Sequence, residues 1–455
     1  MRTMMAIEVT EAVRASFDGA LLAPGDDGYE EARHVHNGLI DKRPALIARC
    51  RTAADVVDAV GLGREQASEI SVRGGGHNAA GRAVSDGGLM IDLAPMKGIH
   101  VDPEARTIWA QGGVTWRELN RAAGIHGLAT TGGIVSTTGI AGLTLGGGEG
   151  WLMGRYGMAV DNLLAVEVVT ADGEVLHASA DQNEDLFWGL RGGGGNFGVA
   201  TSFLYRAHPV PTVLGGLVAH PLSGAMDAFE LYREFTADVP DDLTVFFGLI
   251  HAPDGTGQKL AAMVLCHCGD DPERAAADVR PLREFGPPAL DLVDRMPYPA
   301  VNTLLDDGFP PGALNYWKSA FLSDASPDAM QVLVDAFAQS PSTMSAVQTV
   351  HYHGATSRVD PAATAFPHRG PGYSPTIVAQ WEAGADTEAN IAWARETFDA
   401  LHPFTTDRVY SNNLSADDDG RVRQAYGKNY ERLVEIKRRY DPENVFRLNL
   451  NIEPT

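Results

Sequence analysis

An α+β fold in two units is the architecture the sequence predicts, and three observations carry it. Strand and helix patterns interleave through about the first 209 residues, punctuated by glycine clusters. From about residue 210 the clusters stop. Long strand patterns then alternate with amphipathic helices, as in an antiparallel sheet with helices on one face. A chain of 455 residues, at roughly 150 per domain, has room for two large units with sizeable cores.

The elements follow in order. TAADVVDAV (52–60) reads as a helix capped by Thr52, with Val56, Val57 and Val60 on one side. SEISVR (68–73) is a strand that runs into glycines, and GLMIDL (88–93) is a second strand. HVDPEARTIWAQGG (100–113) is a hairpin turning at Asp102-Pro103-Glu104, and VTWRELNRAAG (114–124) is a helix ending on Gly124. LLAVEVVTADGEVLHAS (163–179) is a hairpin around Asp172-Gly173. EDLFWGLRGGGGNFGVATSFLYRAHPV (184–210) passes from helix through a glycine turn to strand. In the second unit LTVFFGLIH (243–251) and KLAAMVLCHC (259–268) form a hairpin through PDGTG. SPDAMQVLVDAFAQS (326–340) is helical and SAVQTVHYH (345–353) is a strand. GRVRQAYGKNYERLVEIKRRY (420–440) reads as one amphipathic helix, with Val422, Tyr426, Leu433 and Tyr440 near helical spacing, stopped by Asp441-Pro442. RLNLNI follows as a short extended tail.

Charge narrows the partners. A net charge of -23 leaves no basic surplus for a nucleic-acid backbone or an anionic lipid surface. No run of 18 apolar residues occurs, and the N-terminal stretch MRTMMAIEVTEAVRASFDG lacks a signal peptide's apolar core, so the location expected is the cytoplasm, with no membrane partner. Cys50, Cys266 and Cys268 make no disulfide framework. Cys266-His267-Cys268 lies on a strand with no second ligand pair nearby, so no metal is expected.

Four glycine clusters stand in the first unit: RGGGH (73–77), TTGGIVSTTGIAG (130–142), LGGGEG (145–150) and RGGGGNFG (191–198). Such clusters serve close backbone approach, and their free N–H groups form nests for anions. Several nests from separate loops suit one extended ligand containing a pyrophosphate; the alternative is a set of tight turns. Gly193, Gly195 and Gly198 satisfy G-x-G-x-x-G, but here the motif follows a helix and opens a strand, the reverse of a dinucleotide fingerprint. No P-loop, H-E-x-x-H or G-x-S-x-G motif is present.

Six segments resemble the FAD-linked oxidases of the vanillyl-alcohol-oxidase and berberine-bridge-enzyme-like superfamily. They are PALIARC (44–50), SVRGGGHN (71–78), GRYGMAVDNL (154–163), GGGGNFGVATSF (192–203), YSNNLS (410–415) and YDPENVFRLNLNI (440–452). Within it the chain is most similar to the branch of 6-hydroxy-D-nicotine-oxidase-like bacterial flavoproteins. The resemblance implies an FAD domain of two subdomains in residues 1–209, completed by 405–455, and a substrate domain in 210–404. It implies FAD contacts from Arg73, Gly74, Gly75, Gly76 and Asn78, and from Gly132, Gly133, Thr137, Thr138, Gly139 and Gly142. Further contacts would come from Gly146, Gly147, Gly148, Tyr156, Gly157, Asp161 and Asn162, and from Gly198, Val199, Asn449 and Asn451. His77 stands where the family bonds an imidazole nitrogen to the flavin 8α-methyl. A second, cysteine tether would need a thiol at Val135, so one covalent link is implied. Thr138 holds a position that tends to influence oxygen access, and leaves oxidase or dehydrogenase open.

The chemistry implied is hydride transfer to flavin N5 from an alcohol, hemiacetal or amine carbon of a small molecule, with O2 reoxidising the flavin to give H2O2. The alternatives are a dehydrogenase with another acceptor and a non-catalytic flavin-binding relative. Relatives carry an Asn-Tyr pair where this chain has Asn412-Asn413, so their tyrosine base is absent. Tyr410 and Asn413 remain candidates there. On VQTVHYH, alternation puts Val347, Thr349, His351 and His353 on one face, and His351 and His353 are candidate proton acceptors near neutrality. Relatives of the nicotine-oxidase branch carry Lys and Glu where Thr349 and His351 fall, which argues against 6-hydroxynicotine as substrate. Lys318 and Trp381 are further pocket candidates. A homodimer is a possible assembly.

Overall fold

The structure, a computed structural model, describes residues 7–455. MRTMMA, the start of the N-terminal stretch read above as lacking a leader's apolar core, lies outside them. The fold is α+β.

The first sheet sets Leu46–Arg49, Leu89–Asp92 and Ile70–Arg73 parallel, with Ala20–Leu22 antiparallel at one edge. Its crossover helix Ala53–Glu65 starts as expected: the Thr52 hydroxyl accepts from the Asp55 N–H, and the Asp55 carboxylate accepts back from Thr52. Ile70–Arg73 delivers the glycine run at its carboxyl end, the usual place for a ligand crevice in parallel sheets. A five-stranded antiparallel sheet follows, in the order Ile99–Asp102, Thr107–Gln111, Val199–Arg206, Leu163–Val169, Val175–Ser179. Gly173 takes φ +78° in the hairpin turn.

The remaining large sheet has eight strands between Thr212–Pro221 and Gly372–Trp381, all antiparallel. Helices Ala225–Thr236, Pro272–Arg283, Pro327–Ala338 and Thr387–Leu401 cover one face, where Phe229, Tyr232, Phe247, Leu333 and Trp393 pack together. Its other face buries Phe246, Val350 and Tyr352 against Trp151, Leu152 and Met158.

One helix reads differently from its sequence. Residues 420–440 are not continuous: Gly427 adopts φ +48° and divides Val422–Tyr426 from Tyr430–Tyr440. The second piece packs against Phe197 and helix Glu184–Leu190. It also buries Lys437 completely. The Lys437 ammonium donates to Asp441 Oδ2 at 2.6 Å, to the Asn196 carbonyl at 2.8 Å and to the Phe446 carbonyl at 2.9 Å. One charge thus ties the glycine-rich turn 191–198 to the tail. Cys266 and Cys268 are buried, unpaired thiols. Among the described residues no helix is long and apolar enough to cross a membrane.

Candidate functional site

Segments from residue 70 to residue 450 surround a cavity of about 1970 Å³, its open mouth included. The first wall depends on glycine. A Cβ on Gly75 would lie 2.2 Å from the Gly139 nitrogen, and one on Gly139 would lie 2.3 Å from the Gly75 nitrogen. The two loops therefore meet backbone to backbone. Gly142 on the same wall has no atom within 4 Å of its Cβ direction, because it faces open space.

His77 closes this end. Its Nε2 lies 2.9 Å from Thr137 Oγ1, its Nδ1 lies 3.3 Å from Thr138 Oγ1, and its ring stacks on His36 at 3.8 Å. Burial, with His36 second, pushes its pKa down to about 3. The ring is half-buried only because one edge opens on the cavity; elsewhere protein encloses it. It is a neutral imidazole at neutral pH.

The C-terminal segment forms the next wall. Tyr410, Asn412 and Asn413 line the cavity, and so do Phe446, Leu448, Asn449 and Leu450. A Cβ on Gly146 would fall 2.1 Å from Asn412 Oδ1, so this glycine admits the segment. The Tyr410 oxygen accepts from the Gly148 N–H at 2.9 Å and from Asn412 Nδ2 at 2.8 Å. Beside it sits Glu149, which the sequence offered only as a member of LGGGEG. Glu149 lines the cavity and accepts a hydrogen bond from the Tyr352 hydroxyl. Burial raises its pKa to about 7, with Tyr352 opposing.

The eight-stranded sheet provides the roof, from Phe246, Trp317, Gln348, Val350, Thr376 and Val378, with Phe309 beside them. Gln348 and Val350 fix the phase of their strand. His351 therefore points the opposite way, into the helix layer, where it stacks on Tyr373 at 4.7 Å and on His353 at 5.1 Å. Neither histidine lines the cavity, and both are buried rather than on a solvated face. Thr349 shares their face. Lys318 is likewise turned away, onto Asp417 and Asp418, each at 2.9 Å, and Trp381 donates to Thr387 in the helix-side core.

These imidazoles matter for stability instead. Burial lowers His351 to about 3 and His368 to about 4, and it lowers His353 as well. Between about pH 4 and the ordinary histidine value near 6.5 the unfolded chain binds protons that the native chain does not. Their contribution is thus complete above pH ~6.5 and lost as pH falls through the folded values. Melting temperature is expected to drop steadily from pH 7 to pH 5, read by circular dichroism; a flat profile would contradict it.

Of the other expected cofactor contacts, Gly74, Gly75, Gly76, Asn78, Gly133, Thr138, Gly139, Gly142, Gly146, Gly198, Val199 and Asn449 line the cavity. Arg73, Gly132, Thr137, Gly147, Gly148 and Asn451 do not. Arg73 instead pairs with Asp92 at 2.7 Å. The segment 154–163 is also set off from the cavity, for internal reasons. Asp161 pairs with Arg369 at 2.7 Å and accepts from the Met158 N–H, and Asn162 Nδ2 donates to the Tyr156 and Met158 carbonyls. Tyr156 stacks on His208 at 3.8 Å, and Gly157 takes φ +76° beside Asp161. The segment is a bracket beneath the site.

Comparison with known proteins shows the family of the chain. Residues 44–179 match the FAD binding domain family, and residues 409–453 match the berberine and berberine-like family. The chain is 32% identical to the (R)-6-hydroxynicotine oxidase of Paenarthrobacter nicotinovorans, over 97% of this chain and 98% of that protein. It is 28% identical to an FAD-linked oxidoreductase of Dictyostelium discoideum, over 99% and 98% respectively. The solved structure of 6-hydroxy-D-nicotine oxidase from Arthrobacter nicotinovorans superposes with a TM-score of 0.89 at 30% identity, covering 98% of this chain and 100% of that one.

Proposed function

The chain belongs to the FAD-linked oxidoreductases with a berberine-bridge-like C-terminal segment, and on that footing we propose that it oxidises an alcohol, hemiacetal or amine carbon of a small molecule, with O2 as acceptor and H2O2 as product. One observation carries the reading: a single cavity runs from the His77 loop to the aromatic roof of the eight-stranded sheet. Residues 1–209 with 405–455 serve the cofactor in this reading, and 210–404 serve the substrate.

The residues present fit FAD. The backbone contact of Gly75 with Gly139 and the open wall at Gly142 leave a cradle that side chains would fill. Loops 74–77 and 138–142 and the tail 446–450 would hold the cofactor. Bound there, FAD supplies the two-electron acceptor for a substrate hydride. His77 offers a neutral imidazole nitrogen for a bond to the flavin 8α carbon. Val135 lines the same cavity and carries no nucleophile, so the link is single. Phe246, Phe309 and Trp317 exclude water from the substrate end and favour an apolar body. Gln348, Thr376 and Asn413 orient its polar group, with Asn413 Nδ2 held 2.9 Å from Thr376 Oγ1.

The test is an anaerobic screen of the purified holoprotein with benzyl alcohol, glucose and pyrrolidine, followed by stopped-flow mixing with air-saturated buffer. Bleaching of the flavin band and its rapid return, with peroxide formed, is the expected result. Rapid bleaching with slow return would replace O2 by another acceptor. Bound flavin that no reductant bleaches would favour a non-catalytic relative.

A further inference from the structure

We propose that Glu149 is the catalytic base, the group that takes the substrate proton. The inference rests on the oxidoreductase reading above and supplies the residue that reading lacks. Oxidation of an H–C–O–H or H–C–N–H unit to a double bond releases two electrons with one hydrogen, as hydride to the flavin. The O–H or N–H bond breaks at the same time, and its proton must go to a base within reach.

The cavity wall narrows the choice. Asn413 is an amide and has no basic nitrogen. The Tyr410 oxygen accepts two N–H groups already, from Gly148 and Asn412, and so has no lone pair free for a substrate proton. Burial also raises the Tyr410 pKa, which keeps its phenol intact. His77 sits among the glycine loops, where the reading above commits its free nitrogen to the flavin link. Glu149 differs on each count. Its Oε1 accepts from Tyr352, while Oε2 has no partner among the described residues and the residue faces the cavity.

Its electrostatic setting suits the task. Burial and the Tyr352 hydrogen bond are the influences on its ionisation, and no cation offsets its charge. The titratable groups against it are Tyr352 from the sheet and Tyr410 from the C-terminal segment; Arg369 and Arg408 act on Tyr352 from beyond. A carboxyl raised to about 7 is partly ionised at neutral pH and basic enough to accept a proton there. Because its folded pKa lies above the ordinary value, the base is lost by protonation as pH falls below 7.

Two measurements on the holoprotein test the assignment. The first is a pH titration of the resting flavin spectrum from pH 5 to 9, with no substrate present. An inflection near pH 7 is expected in the wild type. It should vanish in Glu149→Gln and move up by about one unit in Tyr352→Phe, which removes the one donor that stabilises the carboxylate. An inflection that persists in Glu149→Gln, or its absence from the wild type, would overturn the assignment. The second is anaerobic flavin reduction by whichever alcohol or amine of the panel above acts fastest. The wild-type rate should rise with pH through about 7. Glu149→Gln should be about 10²- to 10⁴-fold slower, with that rise abolished. Equal rates and profiles in the two proteins would overturn the role of Glu149 and leave the oxidoreductase reading standing. A wild type that no reductant bleaches would defeat that reading instead, and this inference with it.

Discussion

Replacement of His77 by alanine is expected to leave no flavin on the acid-precipitated chain, where the wild type keeps essentially all of it. The effect is all-or-none because the cavity lining offers one imidazole and no thiol among the described residues. Val135 lines the same cavity without a thiol, and the three cysteines are buried elsewhere. The ring is also prepared for the reaction. Two threonine hydroxyls and the stacked His36 hold its plane, and burial keeps it neutral, with a lone pair available. The glycine contacts between Gly75 and Gly139 do not involve the imidazole, so His77→Ala should still bind FAD reversibly. The check is absorbance of the washed pellet against the supernatant. Yellow pellets from both proteins would move the link to another residue, and yellow supernatants from both would remove it.

Lys437→Met is expected to cost about 3–5 kcal/mol of stability, the usual range for stranding one partner of a buried pair. Lys437 and Asp441 have no exposed side-chain surface, so the remaining carboxylate could not be rescued by water. The loss also frees the carbonyls of Asn196 and Phe446. A double variant, Lys437→Met with Asp441→Leu, should recover only part of the loss. Asp441 accepts from the Val445 and Phe446 N–H groups at 2.8 and 2.9 Å, and these would be orphaned. Melting temperature reads the stability. Flavin fluorescence should rise in parallel, because Phe446, Leu448 and Leu450 in the tail line the cofactor cavity. An unchanged melting temperature in the single variant would show that the pair contributes nothing net.

The close approach of the glycine loops was legible in the sequence because its physics is local. Glycines packed as densely as RGGGH and TTGGIVSTTGIAG mean backbone approach, and Gly75 against Gly139 is that approach. Strand alternation was legible too, but alternation has no absolute phase. VQTVHYH placed His351 and His353 together, yet which face met the cavity depended on the layers packed on the sheet, and these put Gln348 and Val350 there. Glu149 is hidden among glycines; its signal is a lone carboxylate inside a glycine cluster, with Arg155 the first basic residue after it. Segment 154–163 is distinctive in sequence because Asp161 and Asn162 tie it together and anchor it to the distant Arg369, and a motif does not say whether it touches a ligand or supports the wall behind it. The division at Gly427 was hidden because the apolar spacing continues across it.

The position of Lys437 also bears on the timing of biosynthesis. The cavity begins with strand Ile70–Arg73 and is finished only by Tyr410, Asn412 and Phe446–Leu450. During translation the first three-quarters of the site emerges as an open half-shell whose closing wall does not yet exist. At roughly 5–20 residues per second, the interval between the first loop and the last is about 20 to 80 seconds. The Lys437 ammonium then ties this last wall to the glycine turn through the Asn196 and Phe446 carbonyls. A ribosome stall between residues 400 and 440 would therefore leave a chain that holds every strand of the three large sheets but lacks the tail that closes the cavity.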